Sequence, residues 1–174
     1  KQVHIITPVK DSIDLTLETA RAVLASRWHV PVTYTIYNDF STDENTRRLE
    51  EASQELGFEL VNLRDITSHP SPNYLLVLQM AQKRAIEAEA GLLIVESDVI
   101  VRENTLQGLF DGALAHPDCG IAASVTVDEQ GTVNYPYLYA SDYPKEACEV
   151  KKHCSFCCSL LTLRLLKAFD FQTL

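Results

Sequence analysis

Leu92-Leu93-Ile94-Val95-Glu96-Ser97-Asp98 decides the fold of this chain. Four aliphatic residues in a row leave no polar face, so the run suits a strand covered on both sides, as in a parallel sheet clothed in helices. Gly91 closes a helix expected from about Asn73 to Ala90, and Glu96 and Asp98 follow the apolar run at once. With one residue between them, the two carboxylates in extended geometry project to one side, about 6 to 7 Å apart.

Toward the N-terminus the pattern repeats. Val3 to Val9 reads as a strand closed by Pro8, and Ser12 can cap a helix with Ile13, Leu17, Ala20, Val23 and Leu24 at three- and four-residue spacing. Val32 to Tyr37 is β-branched and aromatic, and it delivers Asp39 to its tip. Ser41 and Glu44 have capping-box spacing for a helix ending at Gly57, and Phe58 to Leu63 is a third strand. Residues 64–72 read as a loop before the Asn73 helix.

Toward the C-terminus a helix is expected near Asn104 to His116. Cys119 to Val127 and Thr132 to Tyr139 read as a hairpin around Asp128-Glu129-Gln130-Gly131, followed by a strand from Ser155 to Leu163 and a helix begun at Arg164. Strands alternating with crossover helices predict an α/β three-layer sandwich with a mostly parallel sheet and ligands outside the carboxyl ends of its strands.

Composition excludes several classes. The 174 residues are 46% apolar, enough for one domain that buries roughly two thirds of its unfolded surface. A net charge of -9 opposes binding to nucleic acid. No apolar run approaches the roughly 20 residues of a membrane span, so a cytoplasmic chain is expected, at most peripheral to a membrane. Five cysteines, an odd number, give no disulfide framework, and His153 with the Cys154-x-x-Cys157 pair lacks a second ligand pair for zinc. The cysteines are read as packed thiols. Gly-x-Gly-x-x-Gly and Gly-Lys-Ser/Thr are absent, which disfavours dinucleotide and P-loop proteins. His4 is read as a satisfied core residue, Lys83 and Arg84 as solvated charges, and Trp28 as a cover for the end of the first helix.

The acidic strand tips suit a divalent cation, Mg²⁺ or Mn²⁺, which relieves repulsion between carboxylates and bridges to phosphate oxygens. Asp39 at its tip suits a ribose or base; Asp43 complements the dipole of its helix.

Ile5-Ile6-Thr7-Pro8-Val9, Asn38-Asp39-Phe40-Ser41-Thr42-Asp43 and Leu93-Ile94-Val95-Glu96-Ser97-Asp98 resemble, in order and spacing, the three signature segments of family 2 glycosyltransferases. Phe156 to Arg164 and Ala168-Phe169-Asp170 are similar to the family's acceptor-side strand and helix. The resemblance implies a GT-A fold, Rossmann-like, over residues 1–174, with a nucleotide-binding half in 1–100 and a partial acceptor-side half in 101–174. It implies inverting transfer from a nucleotide-sugar donor, foremost a UDP-sugar, to a saccharide, lipid or protein hydroxyl. Thr7 and Pro8 would border the base, Asp39 would bind base and ribose, Glu96 would face the ribose or donor sugar, and Asp98 would hold Mn²⁺ or Mg²⁺.

The chain departs from the pattern at Asn38, at Phe40 where glycine is usual, at Glu96, and at Lys10-Asp11 in place of Tyr-Asn. The resemblance places the general base beyond residue 174, with Asp170 the nearest candidate inside, so a C-terminally truncated piece that transfers sugar poorly is expected. A trimmed end could expose apolar surface and favour a homodimer. The alternative is a nucleotide-sugar-binding or scaffolding module without chemistry.

Overall fold

The computed structural model describes residues 2–134, 147–151 and 153–174. Six strands form one sheet in the order β3-β2-β1-β4-β6-β5. They are β1 (Gln2–Val9), β2 (Val32–Asn38), β3 (Glu59–Asn62), β4 (Ala90–Val95), β5 (Ile121–Ala123) and β6 (Cys158–Leu161). β1 pairs in parallel with β2 and β4, and β2 with β3; β6 alone runs against its neighbours.

β4 carries the sheet's core. Leu92, Leu93, Ile94 and Val95 have no exposed surface, and alternate residues enter opposite cores. Leu93 and Val95 meet α1 (Ile13–Leu24), α2 (Asp43–Leu56) and α4 (Thr105–Ala115), whereas Leu92 and Ile94 meet α3 (Tyr74–Glu87) and α5 (Leu163–Ala168). Each such side chain contributes about 1.5 to 3 kcal/mol by leaving water. The sheet is thus sandwiched between two helical layers, as its wholly apolar central strand requires.

Several local expectations change. α3 stops at Glu87, and Glu89, at φ 50°, makes the left-handed exit, so Gly91 lies inside β4 instead of ending the helix. There a Cβ would stand 3.1 Å from Leu160 Cδ1, and glycine lets β6 approach closely. α2 is capped by Thr42, whose hydroxyl accepts the Asn45 amide, and not by Ser41. Ser12 sits before α1 at φ 48° and makes no side-chain cap. Gly57, at φ 83°, does close α2.

The turn at residues 128–131 forms, with Asp128 N donating to Thr132 O at 2.9 Å and a bridge between Val127 and Val133. Positions 135–139 of the strand expected there lie outside the described residues. His4 is not fully satisfied: Nδ1 pairs with Thr33 Oγ1 at 2.7 Å, but Nε2 is buried without a partner. Arg84 is not merely solvated either, since it reaches Glu59 at 2.6 Å and Thr35 Oγ1 at 3.2 Å. Trp28 packs on the α1 side of the core. No helix among the described residues is long and apolar enough to cross a membrane.

Candidate functional site

Parallel pairing sets the strand tips side by side. Val9 of β1 registers with Asn38 of β2, and Ile6 with Ile94 one residue before the end of β4. The segments that leave these strands, Lys10-Asp11, Asp39-Phe40 and Glu96-Ser97-Asp98, therefore emerge at one edge, the edge where α/β sheets bind ligands.

The first two segments interlock. Asp11 N donates to Ser41 Oγ at 2.7 Å, and Asp11 Oδ1 accepts Thr42 N and Asn45 Nδ2, both at 2.9 Å. These bonds, led by Asn45, hold the Asp11 carboxyl below its usual range. Lys10 Nζ donates to Phe40 O at 3.0 Å. Phe40 itself has φ 60°, a left-handed conformation that glycine adopts freely, so the substitution noted in the sequence leaves the backbone in the glycine geometry. Asn38, 1% exposed, donates through Nδ2 to Thr46 Oγ1 at 2.9 Å and to Asn62 Oδ1 at 2.8 Å, and accepts from Ser41 N at 3.2 Å. A neutral amide can meet all these partners; an ionised acid has no hydrogen to donate.

Asp39 is 8% exposed. Its Oδ2 accepts Ser71 Oγ at 2.7 Å and Asn73 N at 2.8 Å, and its Oδ1 accepts Asn73 Nδ2 at 2.8 Å. Burial alone would raise the carboxyl's pKa, but the bonds from Asn73 and Ser71, with help from the Lys10 charge, outweigh it and lower the pKa.

Glu96 and Asp98 are not extended. β4 ends at Val95, and Val99 N donates back to Glu96 O at 3.1 Å, so the pair lies on a tight turn and the spacing expected of a strand does not apply. Glu96 is half-buried and Asp98 exposed. Both charges still reach one group: burial first, then Glu96 and Asp98, push the Cys157 thiol up. Glu96 N also donates to Cys157 O at 2.9 Å, because β6 enters the sheet here.

Tyr74, the first residue of α3, completes this side. Its hydroxyl is buried without a hydrogen-bond partner, and burial together with the Glu96 and Cys157 charges raises its pKa.

Thr7 and Pro8, expected to border the base, take opposite faces of β1. The Thr7 side chain has no exposed surface and pairs with Tyr34 Oη at 2.9 Å, so it faces the α1 side of the core; Pro8, on the other face of β1, is half-exposed. Asp170 is exposed, and its Oδ1 accepts Gln172 N at 2.8 Å to cap a terminal turn at Phe171–Thr173. Phe171 is tied to Gln79 and Gln82 of α3, about 7 to 12 Å along that helix from Tyr74.

The Glu96–Asp98 turn offers two carboxylates of the hard-oxygen kind that a divalent cation takes. Among the described residues no three His, Cys, Asp or Glu side chains group as a closed cage. Mg²⁺ and Mn²⁺ bound to phosphates commonly use one or two protein carboxylates, however, and the Asp98 carboxylate is exposed.

The sequence did not single out Ser71 or Tyr74, and marked Lys10 only as a departure from the family pattern. Ser71-Pro72-Asn73 ahead of a helical pattern marked only a loop and cap, and a bond back to β2 leaves no trace in local spacing.

No protein-family model matches the chain, and no curated protein matches it by sequence. Solved structures match in fold. One is S. aureus TarS 1-349, at 17% identity and TM-score 0.54, over 74% of this chain and 39% of that one. Its complex with UDP-GlcNAc matches at 19% identity and TM-score 0.53, over 70% and 33%. Glucosyl-3-phosphoglycerate synthase from Mycobacterium tuberculosis with Mn²⁺, UDP and glucosyl-3-phosphoglycerate matches at 13% identity and TM-score 0.51, over 70% and 42%. The architecture is the GT-A fold of these glycosyltransferases, and the chain spans between a third and about two fifths of their length.

Proposed function

We propose that the chain carries the donor side of a metal-assisted, inverting glycosyltransferase of the family 2 kind, which takes a nucleoside diphosphate sugar, foremost a UDP-sugar, and transfers the sugar to an acceptor hydroxyl. The observation that carries this reading is the meeting of the β1, β2 and β4 tips at one edge, with Asp39 on one side and the Glu96–Asp98 turn on the other. The similar fold of proteins solved with UDP, UDP-GlcNAc and Mn²⁺ supports it.

Asp98 is the proposed metal residue, with Glu96 facing the ribose or donor sugar. A bound divalent cation supplies charge neutralisation for the departing diphosphate. Pro8 and the Asp39 carboxylate border the nucleoside; Thr7 contributes through its backbone, since its side chain is buried against Tyr34. The acceptor's proton is assigned to a carboxylate other than Asp170, whose side chain caps its own turn.

A binding module without chemistry is the second reading. Engagement of Asp39 by Ser71 and Asn73 favours it, because most of that carboxylate's accepting capacity is already used. Titration of UDP by calorimetry, with and without Mn²⁺, tests both. A donor site binds UDP at least tenfold more tightly with Mn²⁺, whereas equal binding in the two buffers supports the module and no binding in either rejects both.

A further inference from the structure

The geometry points to Asp39 as a positioning residue: it latches the loop before α3 to the tip of β2 and thereby fixes where α3, and its first residue Tyr74, begins. The inference rests on reading the crevice as a nucleotide-sugar site. An ionised carboxylate offers about four accepting lone pairs. Asp39 Oδ2 is filled by Ser71 Oγ and Asn73 N, and Oδ1 by Asn73 Nδ2, which leaves one.

All three donors come from two residues, 32 and 34 positions away, on the single loop that feeds α3. Asn73 occupies the N-cap position of α3 yet makes no side-chain cap. Its Nδ2 turns instead to Asp39 Oδ1 and to His69 O at 3.0 Å. The entry to α3 is therefore fixed from outside, by β2, where most helices fix their own first turn.

Tyr74 follows Asn73 directly. It is the first residue of α3 and its hydroxyl is buried without a hydrogen-bond partner, so a movement of the latch carries an aromatic ring with an unpaired polar group along with the helix end. Asp39 thus acts on the donor side through Ser71, Asn73 and Tyr74, and not only by touching a ligand.

The test compares the intact chain with Ser71→Ala, Asp39→Asn, Asn73→Asp and the exchanged pair Asp39→Asn/Asn73→Asp. Two readouts are used: amide hydrogen exchange at Asn73, Val77 and Leu78, with β4 amides as reference, and UDP affinity in Mn²⁺. Asp39→Asn keeps one acceptor oxygen but sets an amide donor against Asn73 Nδ2 or the Asn73 backbone N–H, and Asn73→Asp sets two carboxylates face to face. Each is expected to speed exchange at the three amides at least tenfold while β4 stays protected. The exchanged pair restores one donor and one acceptor and is expected to return exchange and affinity to within threefold of the parent. Ser71→Ala keeps the Asn73 bonds and should fall between.

Unchanged exchange in Asp39→Asn, or an exchanged pair no better than its single parents, overturns the latch. An exchanged pair that restores exchange but not UDP affinity shows direct contact alone and overturns the action through Tyr74. If the parent binds no UDP, the nucleotide reading fails while the exchange arm still decides whether the latch exists.

Discussion

Asp11 Oδ1 accepts Asn45 Nδ2 at 2.9 Å and so bolts the loop after β1 to the first turn of α2, 34 residues away in sequence. Replacing Asp11 with alanine removes the acceptor of both Asn45 and the Thr42 amide. Hydrogen bonds to a charged group are individually worth about 1.5 to 3 kcal/mol, and less where water competes, so chemical denaturation should show a loss of about 1 to 2 kcal/mol. Because the folded carboxyl titrates below its unfolded value, the contribution is present above the unfolded pKa and fades as pH falls through the folded one. A parent minus Asp11→Ala difference that stays flat between neutral pH and pH 3 would contradict this.

Phe40 offers a cleaner look at backbone strain. Alanine and glycine remove the same aromatic packing apart from one methyl, but only glycine enjoys φ 60°. Glycine at position 40 should therefore be more stable than alanine by about 1 kcal/mol, the reverse of the usual order in helices and strands. Urea midpoints of the two variants decide it; the ordinary order would mean that the left-handed geometry is not held in solution.

His4 gives the fold an acid limit. Burial first, then the Arg84 charge, lower its pKa to about 4, against a smaller upward pull from Glu59. A ring that is harder to protonate when folded adds stability that is complete above pH 6.5 and is lost as pH falls toward 4. The loss amounts to about 3 kcal/mol at most. In His4→Gln this part of the pH profile should vanish, which guanidine unfolding at pH 7, 5.5 and 4.5 would reveal.

Asp98 is exposed, so asparagine there should leave the melting temperature within a degree or two. It should nevertheless cut the Mn²⁺ enhancement of UDP binding at least tenfold. Glu96→Gln should have a smaller effect on the metal and a larger one on stability, since Glu96 is half-buried beside Cys157. Equal metal enhancement in parent and Asp98→Asn would remove Asp98 from the metal role.

The sandwich was legible because Leu92 to Val95 allow only a strand covered on both faces, and because the acidic tips end strands whose order sets them side by side. Turn-level detail was not. Whether Glu96 and Asp98 continue a strand depends on one bond, Val99 to Glu96, which no periodicity encodes. Gly91 looked like a stop because glycine ends many helices; its role instead is to admit Leu160 from β6, a partner 69 residues away. Asp39 was found as a tip residue, but its partners Ser71 and Asn73 come from a loop whose docking is tertiary. Arg84 looked solvated because Glu59 and Thr35 lie on other elements.

β6 runs against the rest of the sheet, so the chain enters it at the same rim where β1, β2 and β4 leave theirs. What lines that rim on the β6 side is an incoming segment that carries Ser155 and Cys157, joined to the turn after β4 by the Glu96 amide on Cys157 O and to β4 by the pairing of Cys158 with Val95. Lengthening or rewriting such a segment disturbs no crossover helix and costs little closure entropy. Evolution, or an engineer, can therefore rewrite this approach to the rim while the β1, β2 and β4 framework stays untouched.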